Sequence, residues 1–344
     1  MGSNHSSGEE YSQEGLKRFH QNFDYLKNVN DERFGTNISV YREKSSSKLI
    51  GLISKSSEDL QALGQLKSEL LHRKSLDHEN LMRVVGYSKK ESDTMCGVGQ
   101  KITVFHEYFE YDLDLELKER ASKREYFSEA ELWYMADSLV SVGAFLQTNG
   151  MFHGDLRPVN IFMNEDGQVL VTDHGLVHPL RDNWHKALGG NKAVYLTPKQ
   201  MEALRNRSAH LDYDVFKADV YSLGLTLTQA ANLDYSPKYF DDYKLSINNF
   251  EIDNSINEAE KRYSKELGDF LRTMTDYDEY KRPDFLSLQK HLEFLKQQEA
   301  QSKQTLPYPN PNQNLASYQG FPPQQIPSMY GSQMSQVNQY GRPF

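Results

Sequence analysis

The chain has 344 residues, 38% hydrophobic and 25% charged, a balance that can build a sizeable core and excludes a wholly disordered or fibrous protein. Thirty-nine Lys and Arg against 48 Asp and Glu leave a formal net charge of −9, which disfavours a nucleic-acid partner gripped by phosphate neutralisation. The single cysteine, Cys96, excludes a disulfide framework and a cysteine-ligated zinc site and suits a reducing, cytoplasmic setting, and no run approaches the roughly 18 apolar residues of a membrane span.

In chain order, residues 1–22 read as a flexible start. Met1 and Gly2 followed by Ser6 fit the N-myristoylation pattern, so membrane contact is expected only if Gly2 is acylated; a single acyl chain binds marginally, and neither a basic cluster nor a nearby cysteine adds a second signal. Between about residues 23 and 108, short runs rich in β-branched and aromatic residues predict strands over Ile38 to Arg42, Leu49 to Ser54, Leu81 to Tyr87 and Ile102 to Tyr108. Leu60, Leu63, Leu66, Leu70 and Leu71 share one face and predict a helix among them. From about residue 128 the period changes. Leu132, Met135, Ala136, Leu139, Val142, Gly143 and Leu146 predict a long amphipathic helix ending at Asn149-Gly150, Phe216 to Ala230 a second, and Glu266 to Met274 a third. The expected fold is therefore α+β and bilobal: a small β-rich lobe over about 23–108, then a larger helical lobe over about 109–297. Residues 298–344 read as a low-complexity tail. From Gln301 to Phe344 there are seven of the twelve prolines, nine glutamines and no acidic residue, and Tyr308, Tyr318, Tyr330 and Tyr340 recur as candidate anchors for a protein partner.

The most informative stretch follows the first long helix. It runs His153-Gly154-Asp155-Leu156-Arg157-Pro158-Val159-Asn160, then a hairpin through Asn164-Glu165-Asp166-Gly167, then Asp173-His174-Gly175. Asp155 and Asn160 thus sit on a loop between a helix and a strand, with Asp173 just past the returning strand. Carboxylate and amide oxygens are hard ligands, suited to magnesium that also holds substrate phosphates. Polar turn chemistry is the simpler alternative, because Asn, Asp and Gly crowd turns.

At matching spacing these residues resemble the signature set of eukaryotic protein kinases. His153 to Asn160 resembles the catalytic loop, and Asp173-His174-Gly175 the metal-binding triplet after it. Tyr195-Leu196-Thr197-Pro198, Ala218 to Gly224 and Lys281-Arg282-Pro283 resemble later markers, and Asp77-His78-Glu79-Asn80 an earlier one. The resemblance implies roles for this chain's residues. Lys55 would hold the ATP phosphates and Glu69 would pair with Lys55. Asp155 would accept the substrate hydroxyl's proton, Arg157 would face the transferred phosphate, and Asn160 and Asp173 would carry magnesium. Gly35, Val40, Ile53 and Phe162 would surround the nucleotide, and the backbone from Glu107 through Phe109 to Leu113, just after His106, would form the hinge that meets adenine.

Several parts depart from the family's pattern. The three glycines expected before Val40 read Arg33, Gly35 and Ile38, so one remains, and Ile53 and Phe162 add bulk where the base would lie. Gly154 replaces the arginine that would meet a phosphorylated activation segment, and Leu176 to Leu196 holds neither Ser nor Thr. Tyr195 takes the place of a packing tyrosine. Lys199 stands where a glutamate would pair with Arg282, which implies a like-charge contact, and Lys192 stands where a threonine would touch Asp155.

Two functions of different class follow. One is a weak Ser/Thr-type protein kinase using ATP and magnesium, not regulated through its activation segment, with proteins as substrates. The other is a pseudokinase, a scaffold whose lobes and tail organise an assembly.

Overall fold

A computed structural model of the chain describes residues 9–31, 36–57, 75–94, 97–164, 167–172, 183–189, 195–208, 210–241 and 243–304, with positions 64, 68 and 71. Among them, β1 (Glu9–Glu10), β2 (Phe23–Asp31), β3 (Thr36–Glu43), β4 (Leu49–Ser57), β5 (Val84–Thr94) and β6 (Gly97–Glu107) form one sheet in the order β1-β5-β6-β4-β3-β2. All pairs are antiparallel except β1 on β5. The later part is helical: α2 (Leu113–Lys123), α3 (Glu129–Thr148), α4 (Asn183–Leu188), α5 (Pro198–Arg205), α6 (Val215–Asn232), α7 (Asn249–Glu260), α8 (Lys265–Met274) and α9 (Phe285–Gln304). The small hairpins β7 (Ile161–Met163) with β8 (Val169–Val171) and β9 (Phe240–Asp241) with β10 (Ser246–Ile247) complete it. This is the bilobal α+β arrangement expected.

Each long helix follows from its sequence. Ser128 and Glu131 close a reciprocal capping box that starts α3, and Gly150, at φ +68°, lies just past its end. The seven apolar positions of its predicted stripe are all buried. Asp214 accepts hydrogen bonds from the amides of Phe216 and Lys217 to cap α6, in which every residue from Ala218 to Ala231 is buried. A helix apolar on all sides belongs at the centre of a lobe, and α3, α7 and α8 pack round it. The sequence pattern missed α2, whose stability rests on the Asp112 cap and the ion pairs Asp114–Lys118, Glu116–Arg120 and Glu119–Lys123 rather than on a wide apolar face.

Residues 9–22, read as flexible, are ordered: β1 lies parallel to β5, and α1 (Gln13–Asn22), capped by Ser12, packs on the sheet. Its Phe19 is buried against Ile50 and Phe105 and stacks on Phe23 with ring centroids 4.3 Å apart. The last helix runs to Gln304, past the boundary drawn at 298. The helix expected over Leu60 to Leu71 lies mostly outside the described residues, although positions 64, 68 and 71 are helical. The tail from 305 and Gly2 lie outside them as well. Among the described residues no helix is long and apolar enough to cross a membrane.

Candidate active site

The loop after α3 is held from below by α6. The buried Asp219 carboxylate accepts hydrogen bonds from the amides of His153 (2.6 Å) and Gly154 (2.8 Å), and the Thr226 hydroxyl donates to the Leu156 carbonyl (2.8 Å). His153 links two elements: its Nδ1 accepts from the Asp155 amide (3.1 Å), which leaves Nε2–H to donate to the Thr172 carbonyl (2.6 Å). Asn160 ends a single 3₁₀ turn, and its Nδ2 donates to the Asp155 carbonyl (2.7 Å). The Asn160 carbonyl in turn accepts from the Thr172 amide (3.0 Å), so the residue before Asp173 is fixed relative to the loop. Asp155 and Asn160 are both wholly buried.

Two cations converge on Asp155. Lys186 Nζ of α4 is 2.7 Å from Oδ2, and Arg157 Nε is 2.8 Å from Oδ1, an ion-pair contact without hydrogen-bond alignment. Asn160 Oδ1 has no hydrogen-bond partner among the described residues although it is buried. An orphaned buried amide oxygen is costly unless something completes it. An amide oxygen is a donor of the type that a hard divalent cation takes, so such a cation would complete its bonding.

The ceiling of the cleft is the face of the sheet carrying Ile38, Val40, Ile53, Ile102 and Val104, all buried. Ile53 pairs with Ile38 and Val104, and the Lys55 backbone pairs with Ile102, two residues further along β4. His106 is wholly buried opposite Gly51, where an added Cβ would come within 2.7 Å of its ring. Its Nδ1 lies 2.6 Å from the Glu107 carbonyl. Residues 108–112 are neither helix nor strand apart from a bridge of Asp112 to Phe162, and α2 begins at Leu113, as a hinge requires. The Glu107 carboxylate turns away to Arg83. Phe162 of β7 forms the floor with Met82 and Leu170, its ring 5.8 Å from that of Phe109. The structure thus brings Val40 and Ile53 together on the sheet, Phe109 beside Phe162, and Asp155, Arg157 and Asn160 together on the loop after α3. The Lys55 and Glu69 side chains, Gly35, Asp173 and Lys192 lie outside the described residues.

The like-charge contact expected between Lys199 and Arg282 does not form. Lys199 turns to Glu279 at 2.8 Å, and that hydrogen bond raises its pKa. Arg282, buried with its pKa pulled down by desolvation, instead donates to the carbonyls of Asp276 and Lys217 and lies over the Tyr221 ring. The carboxylate absent at 199 has reappeared at 279. Tyr195, at φ +58°, donates to Gln229 and accepts from Ser222 through its carbonyl, and burial pushes its hydroxyl well above the usual range. Thr197 and Gln200 close a second capping box.

Two residues that contact this loop escaped the sequence reading. Asp219 carried a usable signal, because a carboxylate between Ala218 and Val220 in an apolar helix must find donors. Lys186 carried none, since it is one polar residue in a polar stretch.

A bilobal fold, a helix-anchored loop bearing Asp155 and Asn160, and a hinge between the lobes define a protein of the kinase class. The family model for the protein kinase domain matches residues 33–294, and the chain belongs to that family. It is similar to the dual specificity mitogen-activated protein kinase kinase 7 of Homo sapiens, 28% identical over 160 residues, 44% of this chain and 36% of the relative. Similarity to the tyrosine-protein kinase Abl of Drosophila melanogaster is 26% over 263 residues, 76% of this chain and 15% of the relative. Similarity to the serine/threonine-protein kinase dst2 of Dictyostelium discoideum is 23% over 282 residues, 78% and 22%. The matched stretch thus spans about a third or less of each of these relatives.

Proposed function

We propose that this chain is a weak protein kinase that transfers the γ-phosphate of ATP to Ser or Thr of protein substrates without activation-segment phosphorylation. The observation that carries the reading is the paired burial of Asp155 and Asn160 on a loop anchored by Asp219, with Asn160 Oδ1 left for a cation. Bound magnesium and ATP would supply the phosphoryl group and neutralise its charge; Asn160 and Asp173 would hold the metal and Lys55, positioned by Glu69, the phosphates. Asp155 receives the substrate proton, Arg157 keeps a positive charge beside the transferred group, and Val40, Ile53, Phe109 and Phe162 enclose the base. The body over about 23–297 does this chemistry, and the tyrosine-bearing tail binds protein partners. A cytoplasmic site of action accords with the lone cysteine.

The test pairs a thermal-shift titration with ATP and magnesium, which bound nucleotide must raise by mass action, with radiolabelled phosphate transfer to a protein substrate. Asp155→Asn and Asp173→Asn should each lower transfer by a factor of about 100 or more. Absence of both the thermal shift and transfer refutes the reading.

One observation favours a second reading, a pseudokinase scaffold. Val40, Ile53 and Phe162 are 0%, 1% and 1% exposed, and the hinge carbonyl of Glu107 is already engaged by His106, which supports a cleft closed to adenine. Unchanged melting temperature with ATP, alongside capture of a defined protein partner, would establish it.

A further inference from the structure

Away from the cleft, one local pattern occurs twice on the helical lobe. Asp241-Asp242-Tyr243-Lys244 and Asp278-Glu279-Tyr280-Lys281 both read acid, acid, Tyr, Lys. In each copy the first carboxylate accepts a hydrogen bond from the tyrosine amide, Asp241 from Tyr243 at 3.1 Å and Asp278 from Tyr280 at 3.0 Å. The lysine that follows leans back on the same carboxylate, at 3.6 Å for Lys244 and 4.0 Å for Lys281. Tyr243 and Tyr280 are 96% and 88% exposed, more than any other large apolar or aromatic side chain among the described residues. We propose that Tyr243 and Tyr280 are phosphorylation sites at which this chain is the substrate of an ATP-using tyrosine kinase. The modification requires no phosphotransfer by this chain itself.

In that reaction the phenolic oxygen attacks the γ-phosphorus of ATP, the bond from that phosphorus to the bridging oxygen breaks, ADP leaves, and the phenolic proton passes to the modifying enzyme's base. The acceptor has to enter a foreign cleft, so it must protrude on a segment that can be drawn out. Tyr25 and Tyr134 are about half exposed, but β2 and α3 hold their backbones, and Tyr221 and Tyr239 are buried. Tyr243 lies between β9 and β10, and Tyr280 between α8 and α9, where opening costs a few hydrogen bonds of about 1 kcal/mol each. Two acids before each tyrosine match an enzyme with a basic acceptor groove. Both turns border α5: Leu245 and Ile247 pack in one cluster with Met201, and Glu279 holds Lys199. The Lys199 pKa is raised by the Glu279 hydrogen bond and, further, by the nearby Tyr280. A phosphate on Tyr280 brings about 1.5–2 negative charges and three acceptor oxygens to that lysine. It draws the half-exposed Lys199 from Glu279, which keeps its bond to the Asp214 amide at 3.0 Å.

The test has two arms, both on the full chain. In the first, the chain is incubated with ATP, magnesium and a purified tyrosine kinase of broad specificity, and the time course of each phosphopeptide is followed by mass spectrometry. A sample without the added enzyme removes any label this chain makes itself, and a control peptide shows that the enzyme is active. Tyr243 and Tyr280 should be labelled at least about tenfold faster than Tyr25 and Tyr134, whose elements must first open. Asp241→Ala and Asp278→Ala should each slow labelling of the tyrosine in their own turn severalfold and leave the other turn unchanged. Labelling of Tyr243 and Tyr280 no faster than that of Tyr134, including none at all, overturns the sites. In the second arm, the ³¹P resonance of phosphorylated Tyr280 is titrated in the wild type and in Lys199→Met. The nearby cation should place the wild-type midpoint about half a pH unit lower. Equal midpoints overturn the capture of Lys199 and leave the first arm to decide the sites.

Discussion

Replacing Asp219 by asparagine tests how far the buried helix α6 controls the catalytic loop. The carboxylate is 3% exposed and accepts from the His153 amide at 2.6 Å and the Gly154 amide at 2.8 Å. Asparagine keeps one oxygen but turns an NH₂ group towards the other amide, so one bond is lost and a donor meets a donor. A hydrogen bond to a charged group contributes about 1.5–3 kcal/mol, and a buried amide left without an acceptor costs about 1–3 kcal/mol more, which places the loss near 3 kcal/mol. For a domain of this size that lowers the melting temperature by about 6–12 °C. Displacement of the loop by about an ångström should also cost about 100-fold in any turnover. Calorimetry gives the first quantity, and hydrogen exchange at the His153 and Gly154 amides gives the local opening. A loss under about 1 kcal/mol with both amides still protected would refute the anchoring argument.

Phe19→Ala should destabilise the protein by about 3–4 kcal/mol in chemical denaturation, because it empties the contact of α1 with Ile50 and Phe105; a loss below about 1 kcal/mol would mean that α1 does not pack in solution. Lys199→Glu places a second carboxylate beside Glu279 and should cost about 1 kcal/mol, most of it recovered when Glu279→Lys is added; a double-mutant cycle without coupling would show that the pair is incidental. His78 accepts from the Asn80 amide and contacts Ser141, and burial lowers its pKa in the folded state. The unfolded chain therefore takes up this proton first, and stability should fall as pH drops through about 6.5, flattening below the folded value. His78→Gln should shrink that acid slope, and an identical slope in both proteins would exclude His78 as its source.

Legibility in the sequence followed the range over which each cause acts. The stripe from Leu132 to Leu146 and the cap at Ser128 act within a few residues, and α3 was readable from them. Asp155 and Asn160 were readable because they lie five residues apart on one loop. The pairing of Lys199 with Glu279 spans 80 residues, and the sequence reading could place the lysine but not the partner that relieves it. α1 was missed for a different reason. Its Leu16, Phe19 and the following Phe23 keep helical spacing, but charged and polar neighbours dilute them and β2 starts at once, so the apolar signal is split between two elements.

Arg282 carries a consequence for ionic strength. Its guanidinium is 1% exposed and its three hydrogen bonds end on backbone carbonyls, two to Asp276 and one to Lys217, at 2.8–3.1 Å. Dissolved ions cannot enter so short and dry a gap, since mobile charges screen over about 10 Å of solvent at 0.1 M. Lys199 and Glu279, by contrast, have side chains 40% and 14% exposed and meet where counterions can reach. Raising the salt concentration should loosen that outer pair and leave the arginine's grip untouched. By moving the carboxylate outward and binding the inner cation through carbonyl dipoles, this lobe keeps the join between α6 and the turn before α9 largely indifferent to salt.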